Sequence, residues 1–175
     1  REKLFSILEK AKSFYEEKLL KDKEALGYVK SRGVDKKTIS EWGIGYSLDD
    51  WRTLREHLVS LKVTDSDMRK VGLIKDTQGS KDPYDTFRDR VMFPIFDTSG
   101  RCVAFSGRIL HKNDKAPKYL NSPDTLLFKK SNILYGLHKA KTSIRRKDYS
   151  ILVEGQMDLV LSQDRKSTRL NSSHQ

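Results

Sequence analysis

The sequence has a single cysteine, Cys102, in 175 residues. A lone thiol excludes an internal disulfide and a zinc ribbon within the chain. The histidines, His57, His111, His138 and His174, show no metal-ligand spacing with one another or with Cys102, so they read as surface or partly packed side chains. The scattered glycines match no phosphate-loop pattern. No apolar run approaches the length that spans a bilayer, so no membrane partner is expected. An initiating methionine is absent, and so is a signal peptide: Arg1-Glu2-Lys3-Leu4-Phe5 already belongs to an amphipathic helix. The expectation is an internal piece of a longer cytosolic protein. There is no internal repeat and no low-complexity linker.

Basic charge, by contrast, is abundant. The formal net charge is +11, a balance that suggests a polyanionic partner, most often nucleic acid. Apolar content is modest without reaching the disordered range. Leu4, Phe5, Ile7, Leu8, Ala11, Phe14, Tyr15 and Leu19 recur at helical spacing over residues 2–20. A second helix is expected from Lys23 to Arg32 with Gly33 as its stop, and a third from an Asp35 cap to Trp42-Gly43. Ile44 to Ser47 reads as a short strand. Asp49 or Asp50 is placed to cap a helix through Trp51, Leu54, Leu58 and Leu61, with Trp42 and Trp51 on apolar faces. Thr64 or Asp65 opens another, carrying Met68 and Val71. Residues 76–88 are polar and turn-rich. Two strands follow, Val91 to Phe96 and Arg101 to Ile109, joined by a hairpin turn at Asp97-Thr98-Ser99-Gly100. A charged loop at 111–117 leads to an extended stretch from Lys118 to Ser122. A further helix runs from Leu134 to about Arg146, with basic residues in its last turn, as the helix dipole favours.

The most suggestive stretch is Tyr149-Ser150-Ile151-Leu152-Val153-Glu154-Gly155-Gln156-Met157-Asp158. A β-branched apolar run meets an acid and a glycine and then turns helical. This reads as a buried, parallel strand feeding a helix, with Glu154 at the strand's carboxyl end, where open α/β sheets place ligands. Asp158 falls in the first helical turn. Two carboxylates so placed suit a divalent cation such as Mg²⁺; a strand–turn–helix with a capping acid is the plainer alternative.

Several phrases precede this stretch in order: Arg88-Asp89-Arg90-Val91-Met92-Phe93-Pro94-Ile95, Phe105-Ser106-Gly107-Arg108, Pro117-Lys118-Tyr119-Leu120-Asn121-Ser122-Pro123 and Leu134-Tyr135-Gly136-Leu137. Together they closely resemble the catalytic core of bacterial DnaG-type DNA primases, over residues 1 to about 163. The E-G-x-x-D then resembles the first motif of a Toprim domain, with Gln156 where the family usually carries an aromatic residue. The resemblance implies an enzyme, a nucleotidyltransferase that makes short RNA primers on a single-stranded DNA template from ribonucleoside triphosphates at a bacterial replication fork. It implies Mg²⁺ or Mn²⁺ in the parent protein, zinc in an amino-terminal domain not present here, and a replicative helicase bound through a carboxy-terminal region also not present. Glu154 matches the Toprim glutamate, a catalytic metal ligand, and Asp158 the supporting acid. Arg108, Lys118 and Lys130 match positions that line the family's nucleic-acid groove. Arg32, in Tyr28-Val29-Lys30-Ser31-Arg32-Gly33, matches a family arginine, and Tyr119 and Asn121 stand beside Lys118 for stacking on or bonding to a base.

The implied fold is α+β: a helical front half, a small mixed β-sheet region, and the first strand–turn–helix of a truncated α/β Toprim domain. The expected division is 1–146 for the amino-terminal core subdomain and 147–163 for the start of the Toprim domain. Residues 164–174 back-translate in one frame to a common short-read sequencing adapter, so 164–175 is read as non-native. Arg165, Lys166 and Arg169 against Asp164 give +2, leaving +9 of the +11 for the rest. The second Toprim motif, an Asp-x-Asp pair, does not follow Glu154; the only such triplet, Asp65-Ser66-Asp67, lies far upstream in a helical stretch. One or two carboxylates cannot fix a metal alone, so this piece is expected to coordinate none fully and to be inactive by itself. Two alternatives stay open: a phage or organelle primase-helicase or other Toprim nucleotidyl transferase, and a non-catalytic module that binds single-stranded DNA.

Overall fold

The structure, a computed structural model, describes residues 1–77, 79, 82–150 and 152–162. Helix α1 (Glu2–Lys21) is followed by α2 (Lys23–Ser31) and α3 (Lys36–Trp42). Strand β1 (Gly45–Ser47) leads to α4 (Thr53–Ser60) and α5 (Asp65–Lys70), then to the short strands β2 (Ile74–Lys75) and β3 (Tyr84–Asp85). Strands β4 (Arg90–Phe96), β5 (Cys102–Ile109) and β6 (Tyr119–Asn121) follow, with a 3-10 turn at Lys130–Asn132 and α6 (Leu137–Lys147). Residues 156–162 are helical. No helix among the described residues is long and apolar enough to cross a membrane.

Three of the six helices α1–α6 start on local side-chain chemistry. Asp22 accepts the Ala25 N–H at 2.9 Å, Asp35 the Thr38 N–H at 2.7 Å, and Thr64 Oγ1 the Asp67 N–H at 3.2 Å. Each satisfies a backbone donor that the first helical turn leaves open. Helix α4 departs from this pattern. Asp50 accepts the Arg52 N–H, whereas the N–H groups of Leu54 and Arg55 donate to Asp85, a residue about 30 positions downstream in β3. The cap therefore arrives from another strand. Trp51 lies before the helix and is 58% exposed, and Leu61 is also exposed, so neither joins the apolar face that their spacing suggests.

The main sheet has the order β1-β4-β5-β6, and β2 and β3 form a second, two-stranded sheet. Every pairing among the described residues is antiparallel, so the sheets seen there are not mixed. The β4–β5 turn is tied as the hairpin signal predicts, with Asp97 N–H donating to Arg101 O and Gly100 N–H to Asp97 O, each at 2.9 Å. A register shift between Ile95 and Phe96 moves the start of β5 to Cys102. The polar stretch 76–88 also hides core residues, since Asp85, Thr86 and Phe87 are all buried.

The two faces of this sheet carry different covers. Helix α1 packs Leu8, Ala11 and Tyr15 with Met92 and Phe105 on one face. It comes so close that a Cβ on Gly45 would lie 2.5 Å from Tyr15 Cβ and 2.6 Å from Tyr15 C, so only glycine fits there. The opposite face holds Tyr46, Val91 and Phe93 against Val29, Ile39 and Trp42 from α2 and α3. Met157 and Val160 of the 156–162 helix are buried in that same cluster. The strand expected to run through Val153 is not seen among the described residues. Ser150, Leu152 and Val153 are not in a strand, and Ile151 lies outside the described residues. The physical reason is pairing: a parallel strand needs a neighbour, and none of the described strands pairs with this stretch. Leu152 is 74% exposed, so the apolar run is not buried either. The stretch read as non-native, 164–175, also lies outside the described residues.

Candidate functional site

Register fixes which side chains share a face. In β5 and β6, Arg108 lies opposite Tyr119 and Ser106 opposite Asn121. Cross-strand partners project to the same side, and alternation puts both pairs on one face. Ser106 also faces Phe93 across β4, so this is the face that receives α2, α3 and the 156–162 helix. The Ser106 hydroxyl and the Asn121 Oδ1 are buried with no hydrogen-bond partner among the described residues. Buried polar atoms are nearly always bonded, so this unpartnered pair stands out beside Arg108 and Tyr119.

Arg108 is held in two ways. It donates to its neighbour's carbonyl, Ile109 O, at 3.0 Å, and its guanidinium carbon sits 4.9 Å from the centre of the Tyr28 ring. Tyr28, Arg108, Leu110, Lys112 and Lys118 line a cavity of about 510 Å³. Arg32 caps α2 one turn past Tyr28, with its N–H donating to Tyr28 O at 3.2 Å, and its side chain is exposed. Lys118 is exposed, and its carbonyl accepts from Ile109 N–H at 2.9 Å, which anchors the end of the 111–117 loop. Lys130 is exposed in the 3-10 turn, its N–H donating to Asp124 Oδ1 at 3.0 Å. It is not among the residues lining the Arg108 cavity.

Glu154 is exposed in the bend before the 156–162 helix, and Asp158 is exposed in its first turn. A Cβ on Gly155 would lie 2.7 Å from Asp158 Oδ2, so the carboxylate folds back over the glycine. That placement fits an acid near the positive end of a helix. Among the described residues no group of three or more His, Cys, Asp or Glu could hold a metal ion. A divalent ion such as Mg²⁺ demands near-octahedral oxygen coordination, so the residues present do not fit a fully held metal.

Three groups near the site escape a reading by residue type alone. Tyr28 looks like one apolar residue of α2 but packs against Arg108. Ser106 looks neutral until the two-residue period sets it beside Arg108. His111 is not a loose surface ring: it is clamped between Asp89 and Glu24.

Residues 14–141 match the family described as DNA primase catalytic core, N-terminal domain. The chain belongs to this family. A DNA primase of Synechococcus elongatus is 40% identical over 164 residues, covering 91% of this chain and 23% of that protein. A DNA primase of Clostridium acetobutylicum is 42% identical over 160 residues, covering 91% and 26%. The chain thus spans about a quarter of the length of the primases it matches. Among solved structures, the RNA polymerase domain of Mycobacterium tuberculosis primase DnaG in complex with a double-stranded DNA oligomer with an overhang superposes with a TM-score of 0.84 at 30% identity, over 91% of this chain and 50% of that one. A DnaG primase catalytic domain bound to single-stranded DNA gives 0.77 at 32% identity, over 91% and 50%. The α+β architecture of this primase-family chain is therefore shared with those catalytic domains.

Proposed function

We propose that this chain is the template-handling front part of a DNA primase, an enzyme that copies single-stranded DNA into short RNA primers. The observation that carries the reading is the single sheet face that sets Arg108 beside Tyr119 and Ser106 beside Asn121, next to a cavity bordered by Lys118. Cations that follow a phosphate backbone, with aromatic and amide groups beside them, are what a single strand needs for binding with little sequence preference. Arg108 and Lys118 then bind phosphates, Tyr119 stacks on a base or ribose, and Asn121 bonds to a base or sugar. Arg32 extends the track along α2, and Lys130 extends it along the 3-10 turn.

Glu154 is assigned as a metal ligand of the complete protein, with Asp158 in support. Further carboxylates must come from sequence after this chain, so no chemical step is assigned to these residues alone. Ribonucleoside triphosphates and a replicative helicase are the further partners this reading assigns to the parent protein.

The test is Lys118→Ala in the complete parent. The expected result is weaker binding to any single-stranded template and a salt slope reduced by about 0.7, the share of one phosphate contact on a single strand. Unchanged affinity and slope would remove Lys118 from the interface. If the parent binds template but makes no primers with its full carboxylate set intact, the non-catalytic binding module is the better description.

A further inference from the structure

Glu154 stands two residues before the 156–162 helix, so whatever fixes that helix also fixes the acid. Leu159 N–H donates to Gly155 O at 3.1 Å, which makes the glycine next to Glu154 part of the first turn. No hydrogen bond or ion pair joins Leu152, Val153 or Glu154 to another described residue, and all three are exposed. A helix this short is marginal by itself in water. Its place, and with it that of Glu154, must come from packing.

The helix is gripped from two sides. Met157 and Val160 are buried in one cluster with Val34, Ile39 and Trp42, on the α2–α3 side. Near them a Cβ on Gly33 would lie 3.4 Å from Leu161 Cδ2. Leu159 points another way, since two residues along a helix turn the side chain by about 200°. It meets Gly136, the residue before α6, which has φ +79. A Cβ on Gly136 would overlap Leu159 Cδ2 and stand 3.2 Å from Trp42 Cη2. Leu159 therefore sits in a notch with glycine as its floor and an indole as one wall.

The notch belongs to the front part of the chain and is itself braced. Trp42 is fully buried, stacks on Tyr135 with ring centres 5.5 Å apart, and meets His138 edge-on at 6.4 Å. Lys141 Nζ donates to Thr98 O at 2.6 Å, which ties α6 to the β4–β5 turn. Met157 and Val160 already supply the buried apolar area of the helix. Leu159 stays partly buried, so its close fit specifies position more than it adds burial.

We propose that Leu159 and Gly136 are positioning residues for Glu154: the leucine seated in the Gly136–Trp42 notch sets the depth and angle of the 156–162 helix, and so carries Glu154 to its place on the sheet face that bears Arg108. The inference rests on the assignment of Glu154 to the reaction centre of the complete protein. Neither positioning residue touches template or nucleotide. Their effect is on where the acid stands, and a displacement of about 1 Å at a reacting group can cost roughly a hundredfold in rate.

The experiment has one arm in the chain and one in the complete parent. In the chain, Trp51→Phe leaves Trp42 as the only tryptophan. On that background Leu159→Ala should shift Trp42 emission to the red and speed hydrogen exchange of the 159–162 amides. In the parent, Leu159→Ala and Gly136→Ala should each lower kcat for primer synthesis, per folded molecule, by about ten- to a hundredfold. KM for ribonucleotides and affinity for template should stay within about twofold, because the binding face is untouched. Leu159→Met, which keeps the volume and reach, should restore most of the rate. Adding Gly136→Ala to Leu159→Ala should cost little further rate, since the new methyl no longer meets Cδ2. A normal kcat per folded molecule in Leu159→Ala, with only the thermal midpoint lowered, overturns the inference and leaves the leucine a packing residue. Rate losses that multiply in the double variant also overturn it. Full activity in Glu154→Gln would instead overturn the assignment of Glu154, and this inference with it.

Discussion

The Nδ1 of His111 lies 2.8 Å from Asp89 Oδ1. The same ring's Nε2 lies 2.8 Å from Glu24 Oε1, so the imidazole links α2 to the end of β5. Asp89 adopts φ +51, a left-handed conformation that Asp tolerates better than most residues. From there it accepts the Tyr46 hydroxyl at 2.9 Å and the His111 N–H at 3.1 Å, and its own carbonyl accepts Leu110 N–H. The hydrogen bonds to Asp89 and Glu24 push the His111 pKa up to about 9.

This clasp predicts a pH-dependent stability. The folded value of about 9 exceeds the ordinary 6.5, so the contribution is complete below about pH 6.5 and disappears as pH rises through about 9. The His111 side chain is 54% exposed, so solvent screening limits the effect to ~0.5 kcal/mol. His111→Gln should lower the urea midpoint at pH 6 and leave it near that of the unaltered chain at pH 10. An equal loss at both values would mean that the ring acts by packing and not by charge.

Asp85 predicts a second pH effect of the same sign in a lower window. Burial pushes its carboxyl up to about 6, against the two α4 N–H donors that pull it down. Because the folded value lies above the ordinary 3.8, the group favours the fold most at low pH, and that advantage is lost as pH rises through about 6. Asp85→Ala removes the acceptor for both donors and should cost about 2 kcal/mol in denaturant unfolding. Asp85→Asn keeps an acceptor and avoids the buried charge, so its cost should shrink between pH 4 and pH 7.

The contact at Gly45 predicts a severe packing defect. Gly45→Ala would drive a Cβ into the side chain and backbone of Tyr15, and backbone cannot swing away as a flexible side chain can. A loss of about 3 kcal/mol is expected, read as a lower thermal midpoint. Gly79→Ala is the control, since nothing lies within 4 Å of a Cβ there, although φ +82 carries its own small strain. A wild-type midpoint for Gly45→Ala would show that α1 can slide off the sheet at little cost.

The carboxylates predict the catalytic outcome for this chain. Glu154 and Asp158 fall short of a metal-holding set, and misplacement of a reacting group by about 1 Å can cost roughly a hundredfold in rate. An assay with the chain, ribonucleotides, Mg²⁺ or Mn²⁺ and a single-stranded template should give no template-dependent RNA. Product that vanishes on Glu154→Gln would show that the site is more complete than its carboxylates suggest.

The helices and the β4–β5 hairpin were legible because their signals are local. Asp22, Asp35 and Thr64 announce helix starts within three residues, and Asp97 with Gly100 announces the turn. The Asp85 cap was not legible, since nothing near Trp51 points to a carboxylate in another strand. Trp51 misled for the same reason: its spacing matched α4, but the helix begins after it. The Ser150–Val153 run carries strong strand propensity, yet propensity supplies no hydrogen-bond partners. At the candidate site, Arg108, Lys118, Tyr119 and Asn121 were found by motif. Their shared face with Ser106, and the role of Tyr28, needed the register of β5 against β6 and the packing of α2.

The β1–β4 pairing has a consequence for the order of assembly. Helix α1 with β1, and the β4–β5 hairpin, are each built from segments close in sequence. The bond between Ser47 and Arg90 instead joins residues 43 apart. Closing such a loop costs chain entropy before any contact repays it, which makes this step slower than the local ones. During synthesis, then, the α1-covered strand must wait with one edge unpaired until Arg90 to Phe96 has emerged. Of the pairings in the main sheet, β1 against β4 closes the longest loop, one that holds α4, α5, β2 and β3, so it is expected to form last.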